Sequence, residues 1–475
     1  MVPSRLSVMS FALAGTLAFS QGAAHAAQAP AIDWKKQEAE ILKHHRALIQ
    51  IDSSSPPGNE TRVVEYLQKV FAAEGIPAKT FALNPSRANL VARLKGNGSK
   101  RPLLLMAHSD TVGVQREKWP VDPFGAVLKD GYIWGRGARD DKDKLAANLM
   151  IMLLAKRGGV ALDRDLIFLA ESGEEADPEG VGISYMVNQH FDEIAAEFAL
   201  TEGGGASIEN GKVKVVGIQT SEKVPRRFRL VATGTSGHGS VPRVDNPLTH
   251  LSAAVAKVGS YSMPMRLTET TRVYFEKLAG ISAPENAARY RAIVAGQIPA
   301  TLETYLADKE PQHNSMLRTS VVPTILRAGV GPNVIPSQAE ATFDVRALPD
   351  EDIPKFFETM TKVVGDPAVK VEPITTNLRP VSAPSKLDSE MYHALERASA
   401  ALYPGAVVLP SMSTGATDMA QLRAKGIQSY GIGPASTEDD SVNYGAHSDV
   451  ERLSEASLYQ FVEFTWRAAM EVAAK

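Results

Sequence analysis

The chain contains no cysteine among its 475 residues. Disulfides, thiolate metal ligands and cysteine nucleophiles are therefore excluded, and any metal site must be built from His, Asp and Glu. A charge imbalance is also missing: 51 Lys and Arg against 54 Asp and Glu leave a formal net charge of −3. With no basic excess to neutralise a phosphate backbone, nucleic acid is excluded as a partner. Long apolar runs are lacking too. The N-terminal run Phe11 to Phe19 falls well short of the roughly 20 residues that span a bilayer. It follows Arg5 and precedes Ala24-His25-Ala26, the pattern of an export signal (1–26) cut after Ala26. A periplasmic or secreted protein without a membrane span in its mature chain is expected. What remains, 44% hydrophobic and 22% charged residues, is a globular composition. The length exceeds what one core usually carries, so two domains, or one with an insertion, are expected.

Hydrophobic periodicity alternates between helix and strand over the first half. Trp34 to about Ile51 follows a helical repeat, and Val63, Leu67, Val70 and Phe71 mark a second helix, capped by Asn59 and stopped at Gly75. Asn89–Lys95, Leu103–Ala107, Leu166–Ala170 and Phe198–Thr201 read as strands, short and apolar enough for buried parallel positions. Lys144–Arg157 reads as a helix with Leu145, Leu149 and Met152 on one stripe. This alternation predicts an α/β domain with a largely parallel central sheet. Near residue 222 the pattern changes. Strands over Arg227–Ala232, Val321–Arg327, Ala339–Arg346 and Val369–Pro373, with helices over Asn246–Tyr261 and Glu351–Val364, give the order βαββαβ. That is the ferredoxin-like split motif. It predicts a domain over 222–376 inserted between two parts of a catalytic domain, 27–221 and 377–475. Residues 262–318 are an extra, mainly helical segment inside it.

Metal-capable side chains gather where strands end. His108-Ser109-Asp110 follows Leu103–Ala107, Glu174-Glu175 follows Leu166–Ala170, and Glu202 follows Phe198–Thr201. Asp140-Asp141 follows the turn Gly135-Arg136-Gly137, and a late His447 is a fifth candidate. Singly, each has an ordinary explanation: a packed histidine, a solvated acidic loop, an acid pair at a helix N-terminus. In open α/β sheets, however, ligands collect beyond the carboxyl ends of the strands, so these groups converge on one cleft. Burying so many carboxylates together is prohibitive without cations. Two histidines with several carboxylates suit two zinc ions bridged by one carboxylate, and manganese or cobalt fits the same ligands.

On these residues the chain resembles the M20 family of di-zinc metallopeptidases, which have a zinc-peptidase-like catalytic domain. The pieces are His108-Ser109-Asp110-Thr111-Val112, Asp122-Pro123-Phe124, Gly135 to Lys142, Glu174-Glu175, Thr201-Glu202-Gly203, Gly237-His238-Gly239-Ser240-Val241-Pro242, Asn333-Val334-Ile335-Pro336, Asp344-Val345-Arg346 and His447. The insertion at 262–318 and Glu222-Lys223 are similar to the carboxypeptidase-S and N-acyl-amino-acid hydrolase branch. The resemblance implies that His108 and Glu202 bind one zinc, Glu175 and His447 the other, and Asp140 bridges both. It further implies that Asp110 orients His108, that Glu174 is the general base, and that His238 stabilises the oxyanion from the other subunit of a homodimer formed through the inserted lid domain. Asn333 and Arg346 would hold the carboxylate of a short peptide or an N-acyl amino acid, and Glu rather than Asp at 202 resembles the carboxypeptidase and deacylase members. Two other readings stay open: an aminopeptidase or dipeptidase of the same family, and a zinc or solute binder without turnover.

Overall fold

Residues 31–176 and 179–475 are described by the computed structural model. The expected export signal and its cleavage point lie outside the described residues. Among the described residues no helix is long and apolar enough to cross a membrane.

The short apolar runs become the centre of a ten-stranded mixed sheet. Leu166–Glu171, Leu103–His108, Phe198–Thr201 and Gln428–Gly431 lie side by side and parallel. Antiparallel strands flank this centre, Arg87–Leu94 on one side and Lys212–Glu222 on the other. Both flanking strands belong to hairpins, paired on their other edges with Ala78–Asn84 and Gly205–Glu209. The second hairpin turns through Asn210 and Gly211, both at positive φ (51° and 73°), as a tight two-residue hairpin turn demands.

The helix Lys142–Arg157 is buried from Lys142 to Ala155, rather than along the one stripe expected from its sequence. Its second face is covered by the helices Trp34–Ile49 and Glu455–Ala473, so neither side meets water. The helix Thr61–Ala73 does not take its cap from Asn59. Glu60 stands at that position without a side-chain cap bond, because its carboxylate is buried against Arg87 (Nη2 to Oε1, 2.8 Å).

The inserted domain holds a four-stranded sheet in the spatial order Ser320–Ala328, Gln338–Ala347, Val224–Thr233, Val369–Ile374, every neighbour antiparallel. This is the connectivity of a split βαββαβ unit. Strand alternation sends Phe228, Leu230, Phe343 and Val345 to one face, under the helices Pro247–Ser260 and Ile353–Val364. Each such side chain contributes roughly 1.5–3 kcal/mol by leaving water. Asn246 and Asp352 cap those helices by accepting from the backbone N–H of Leu248 and Lys355. The opposite face is polar and carries Arg227, Asp344 and Arg346.

The extra segment folds into the helices Glu269–Ile281, Pro284–Val294, Ala300–Lys309 and Pro311–Met316 around Phe275, Tyr290, Ile293, Leu306 and Leu317. It leans on the catalytic domain: Lys277 donates to the Val408 carbonyl at 3.1 Å and pairs with Glu396 at 3.3 Å.

Candidate active site

The parallel strands end together, and their C-terminal edges deliver the acidic and imidazole groups to one place. Asp140 lies at the middle of them. Its Oδ1 is 3.0 Å from His108 Nε2, and its Oδ2 is 3.3 Å from His447 Nε2. Each carboxylate oxygen therefore faces a different histidine. On the first side Glu202 Oε2 stands 3.9 Å from His108 Nε2; on the second Glu175 Oε1 stands 3.0 Å from His447 Nε2. Ligand atoms of His108, Asp140 and Glu175 all lie within 4.8 Å of one another, a spacing that can hold a metal ion. The donor set is entirely oxygen and nitrogen, suited to zinc, manganese or cobalt.

Charge balance points the same way. Burial, reinforced by the charge of Glu174, holds the Glu202 carboxyl well above the ordinary carboxylate range. Burial also works against ionisation of Asp140, but hydrogen bonds from both histidines bring its carboxyl below the ordinary value. Asp140 and Glu175 push the His447 imidazole up to about 10. Burial opposes charge on His108, yet Asp110 and Asp140 hold it well above an ordinary histidine. Lys144 adds its charge to that of the histidines around Asp140, and divalent cations fit among the same oxygen and nitrogen donors.

Three supporting groups hold this geometry. Asp110, fully buried, stands with Oδ1 3.4 Å from His108 Nδ1. The same carboxylate accepts the backbone N–H groups of Gly173, Glu174 and Glu175, each at 3.1 Å, and so pins the loop that carries both glutamates. Glu451 accepts from Arg136 Nη1 (2.7 Å) and from the backbone N–H of Gly137 and Arg139, while Arg136 also reaches the His447 carbonyl. This buried pair ties the turn before Asp140 to the loop of His447. Gly137 has φ +80°, and a Cβ there would stand 2.7 Å from Thr111, so the turn closes only on glycine.

Glu174 lies beside the cluster without joining it. Burial, then the charge of Asp418, pushes its carboxyl up to about 8. Its Oε1 accepts from Arg379 at 3.3 Å. Glu174 and Glu175 line a cleft of about 530 Å³ that also receives Arg379 and Asp418 from the catalytic domain side and Arg227 from the polar face of the inserted sheet.

The remaining residues singled out from the sequence are placed apart. His238 and Asn333 are brought to each other: Gly237–His238 pairs with Val334–Ile335, and Gly239 N–H donates to the Asn333 carbonyl at 2.7 Å. Both are exposed, and among the described residues the His238 ring bonds within its own loop, to Ser240. Arg346 sits on the polar face of the inserted sheet, its Nε 2.8 Å from Asp344 Oδ2. Among the described residues, none of His238, Asn333 and Arg346 is hydrogen-bonded or ion-paired with the metal-capable cluster. Sequence reading missed Glu451, Arg379, Asp418 and the buried Glu171. Glu451 had a readable signal, an acid four positions after His447; the other three look like ordinary loop and strand-end residues.

A cleft of a mixed α/β fold that gathers two histidines around a central carboxylate is the kind of site a metal-dependent hydrolase presents. The chain belongs to peptidase family M20/M25/M40, whose model matches residues 104–471. It is 29% identical over 395 residues to the N-fatty-acyl-amino acid synthase/hydrolase of Homo sapiens, covering 80% of this chain and 76% of that protein. A probable carboxypeptidase S-like protein of Dictyostelium discoideum is 28% identical over 388 residues, 79% of this chain and 73% of that one. Among solved structures, the M20 family metallo-carboxypeptidase Sso-CP2 from Sulfolobus solfataricus superposes with a TM-score of 0.68 at 20% identity, covering 90% of this chain and 98% of that one.

Proposed function

We propose that this M20 hydrolase cleaves the amide bond next to a free C-terminal amino acid, in N-acyl amino acids or short peptides, with two metal ions and Glu174 as general base. The observation that carries the reading is the split of Asp140 between His108 and His447, with Glu202 and Glu175 behind them. In that arrangement two metal ions would share the Asp140 carboxylate, one on the side of His108 and Glu202 and one on the side of His447 and Glu175. Bound there, zinc, manganese or cobalt would supply polarisation of the scissile carbonyl and acidification of water.

Glu174 takes the proton of the attacking water and returns it to the leaving amine. Its raised affinity for a proton suits both roles near neutral pH. Arg346, with Asn333, receives the substrate carboxylate, for which a guanidinium offers a planar two-pronged fit. His238 meets the developing oxyanion. Its exposure, remote from its own cluster, suits a role toward the partner of a homodimer. The strand Ser320–Ala328 supports that assembly: it is the edge of the inserted sheet, and Val322, Ile325 and Leu326 are exposed along it. Arg5, Phe11–Phe19 and Ala24-His25-Ala26 support export, which N-terminal sequencing of the secreted protein tests.

The deciding assay offers N-acyl amino acids, dipeptides and their C-terminally amidated forms, each with and without a chelator. Release from free acids alone, lost with chelator, is expected. Equal rates on acids and amides would overturn the carboxylate anchor and favour an aminopeptidase; binding without release would favour a solute binder.

A further inference from the structure

The chain returns from the inserted domain to the catalytic domain through the segment between the strand Val369–Ile374 and the helix Glu390–Leu402. This segment carries Arg379 into the cleft. The guanidinium spans two carboxylates: Nη2 donates to Glu174 Oε1 at 3.3 Å and Nη1 to Asp418 Oδ1 at 3.1 Å. Among the described residues, Arg379 is the one basic side chain paired with Glu174. Asp418 is itself buried, at the start of the helix Met419–Ala424, so the far end of the fork is anchored in the catalytic domain.

The backbone of Arg379 is gripped from the other side. Its carbonyl accepts from Arg226 Nη1 at 3.1 Å, and Arg226 lies on Val224–Thr233, the first strand of the inserted domain. Further on, Ser385 fastens the segment to the catalytic sheet, its N–H donating to the Thr220 carbonyl at 2.8 Å and its hydroxyl to the Ser429 carbonyl at 2.7 Å. One side chain thus joins the backbone held by the inserted domain to the carboxylate beside the metal-capable cluster. Its fork is engaged by two protein carboxylates, one on each terminal nitrogen.

We propose that Arg379 is the positioning residue for the general base, holding the Glu174 carboxylate against Asp418 in an orientation that depends, through Arg226, on where the inserted domain sits. The inference rests on the reading of Glu174 as base. A lysine cannot reproduce it, because one ammonium does not present the planar fork that reaches both carboxylates at once.

The test uses the full chain loaded with zinc and an N-acyl amino acid that the wild type hydrolyses. Arg379→Ala should lower kcat about 10- to 100-fold, the scale of a misplaced catalytic group, while KM and metal content stay at wild-type values; Tm falls, because two buried carboxylates lose their shared cation. Millimolar guanidinium should restore part of that rate, and Arg379→Lys should fall between the two. Adding Arg379→Ala to Glu174→Gln should cost nothing further, since both act through one group. Arg226→Ala, which leaves both partners of the guanidinium in place, should reproduce part of the kcat loss. A wild-type kcat in Arg379→Lys overturns the proposal, and that variant carries the test if Arg379→Ala does not fold. A change confined to KM would make Arg379 a substrate anchor, and a rate loss that tracks lost metal would make it structural; either overturns the proposal. A wild-type kcat in Arg226→Ala overturns the dependence on the inserted domain. Undiminished turnover by Glu174→Gln would instead remove the underlying reading of the base, whatever Arg379 does.

Discussion

Replacing Asp110 by Asn removes a charge while keeping the shape, and its effect can be worked from three bonds. The Asp110 carboxylate accepts from Gly173 and Glu174 on one oxygen and from Glu175 on the other. An asparagine offers one oxygen, so at least one of these N–H groups would face an amide N–H instead. A hydrogen bond to a charged partner is worth about 1.5–3 kcal/mol, and one between neutral groups about half of that. Losing one bond and neutralising two gives a cost of about 3–6 kcal/mol for ordering the loop that carries Glu174 and Glu175. The same substitution removes the charge 3.4 Å from His108 Nδ1, while the Asp110 backbone carbonyl, 3.1 Å from that nitrogen, stays in place. Changes at groups that orient metal ligands typically cost about 10- to 100-fold in metal affinity. Two assays separate the effects: urea unfolding of the metal-free protein, and chelator competition for bound zinc. Asp110→Asn is expected to unfold at lower urea without metal and to release zinc at lower chelator concentration. A variant matching the wild type in both would refute the role of Asp110 as the pin of this loop.

Glu174→Gln should keep its metal and lose turnover by about 10²–10⁴-fold, whereas Glu175→Gln should lose metal as well; atomic absorption beside a rate assay checks the pair, and the reverse result would exchange base and ligand. His45 is fully buried with Nε2 2.8 Å from the Ala138 carbonyl, and burial lowers its imidazole to about 4. Its folded value lies below the unfolded one near 6.5, so the unfolded chain binds the extra proton between those values and stability falls as the pH drops through that window. The contribution is about 3 kcal/mol, and denaturant melts from pH 7 to 4 should show a shallower acid loss in His45→Gln. If His238 serves its partner, inactive His238→Ala and Glu174→Gln chains should regain about a quarter of wild-type activity when randomly paired, because half the dimers then hold one complete site. Mixed dimers without recovery would remove that role.

Much of this protein is legible without coordinates, and the legible part is the part that is local. Period-two and period-3.6 patterns depend on near neighbours, so Phe198–Thr201 has the same bounds in sequence and structure, and the order βαββαβ reappears as a four-stranded antiparallel sheet. Ligand chemistry is equally local. With cysteine absent, acids and histidines at strand ends were the available donors, and the sheet carries His108 and Asp140 to within 3.0 Å of each other. Tertiary structure decided what depends on pairs far apart in the chain. His447 meets Glu175 across 272 positions and Arg379 meets Glu174 across 205, separations at which no periodicity carries information. Burial of the second face of Lys142–Arg157 depended on helices from both ends of the chain, which the pattern of that helix alone does not encode. The seat of the extra helices on the catalytic domain was equally hidden, because Lys277 finds Val408 only after two domains have folded. Sequence therefore determined which groups the site could use. The fold decided which oxygen faces which histidine and which cation holds the base, because those relations exist only once distant segments share one cleft.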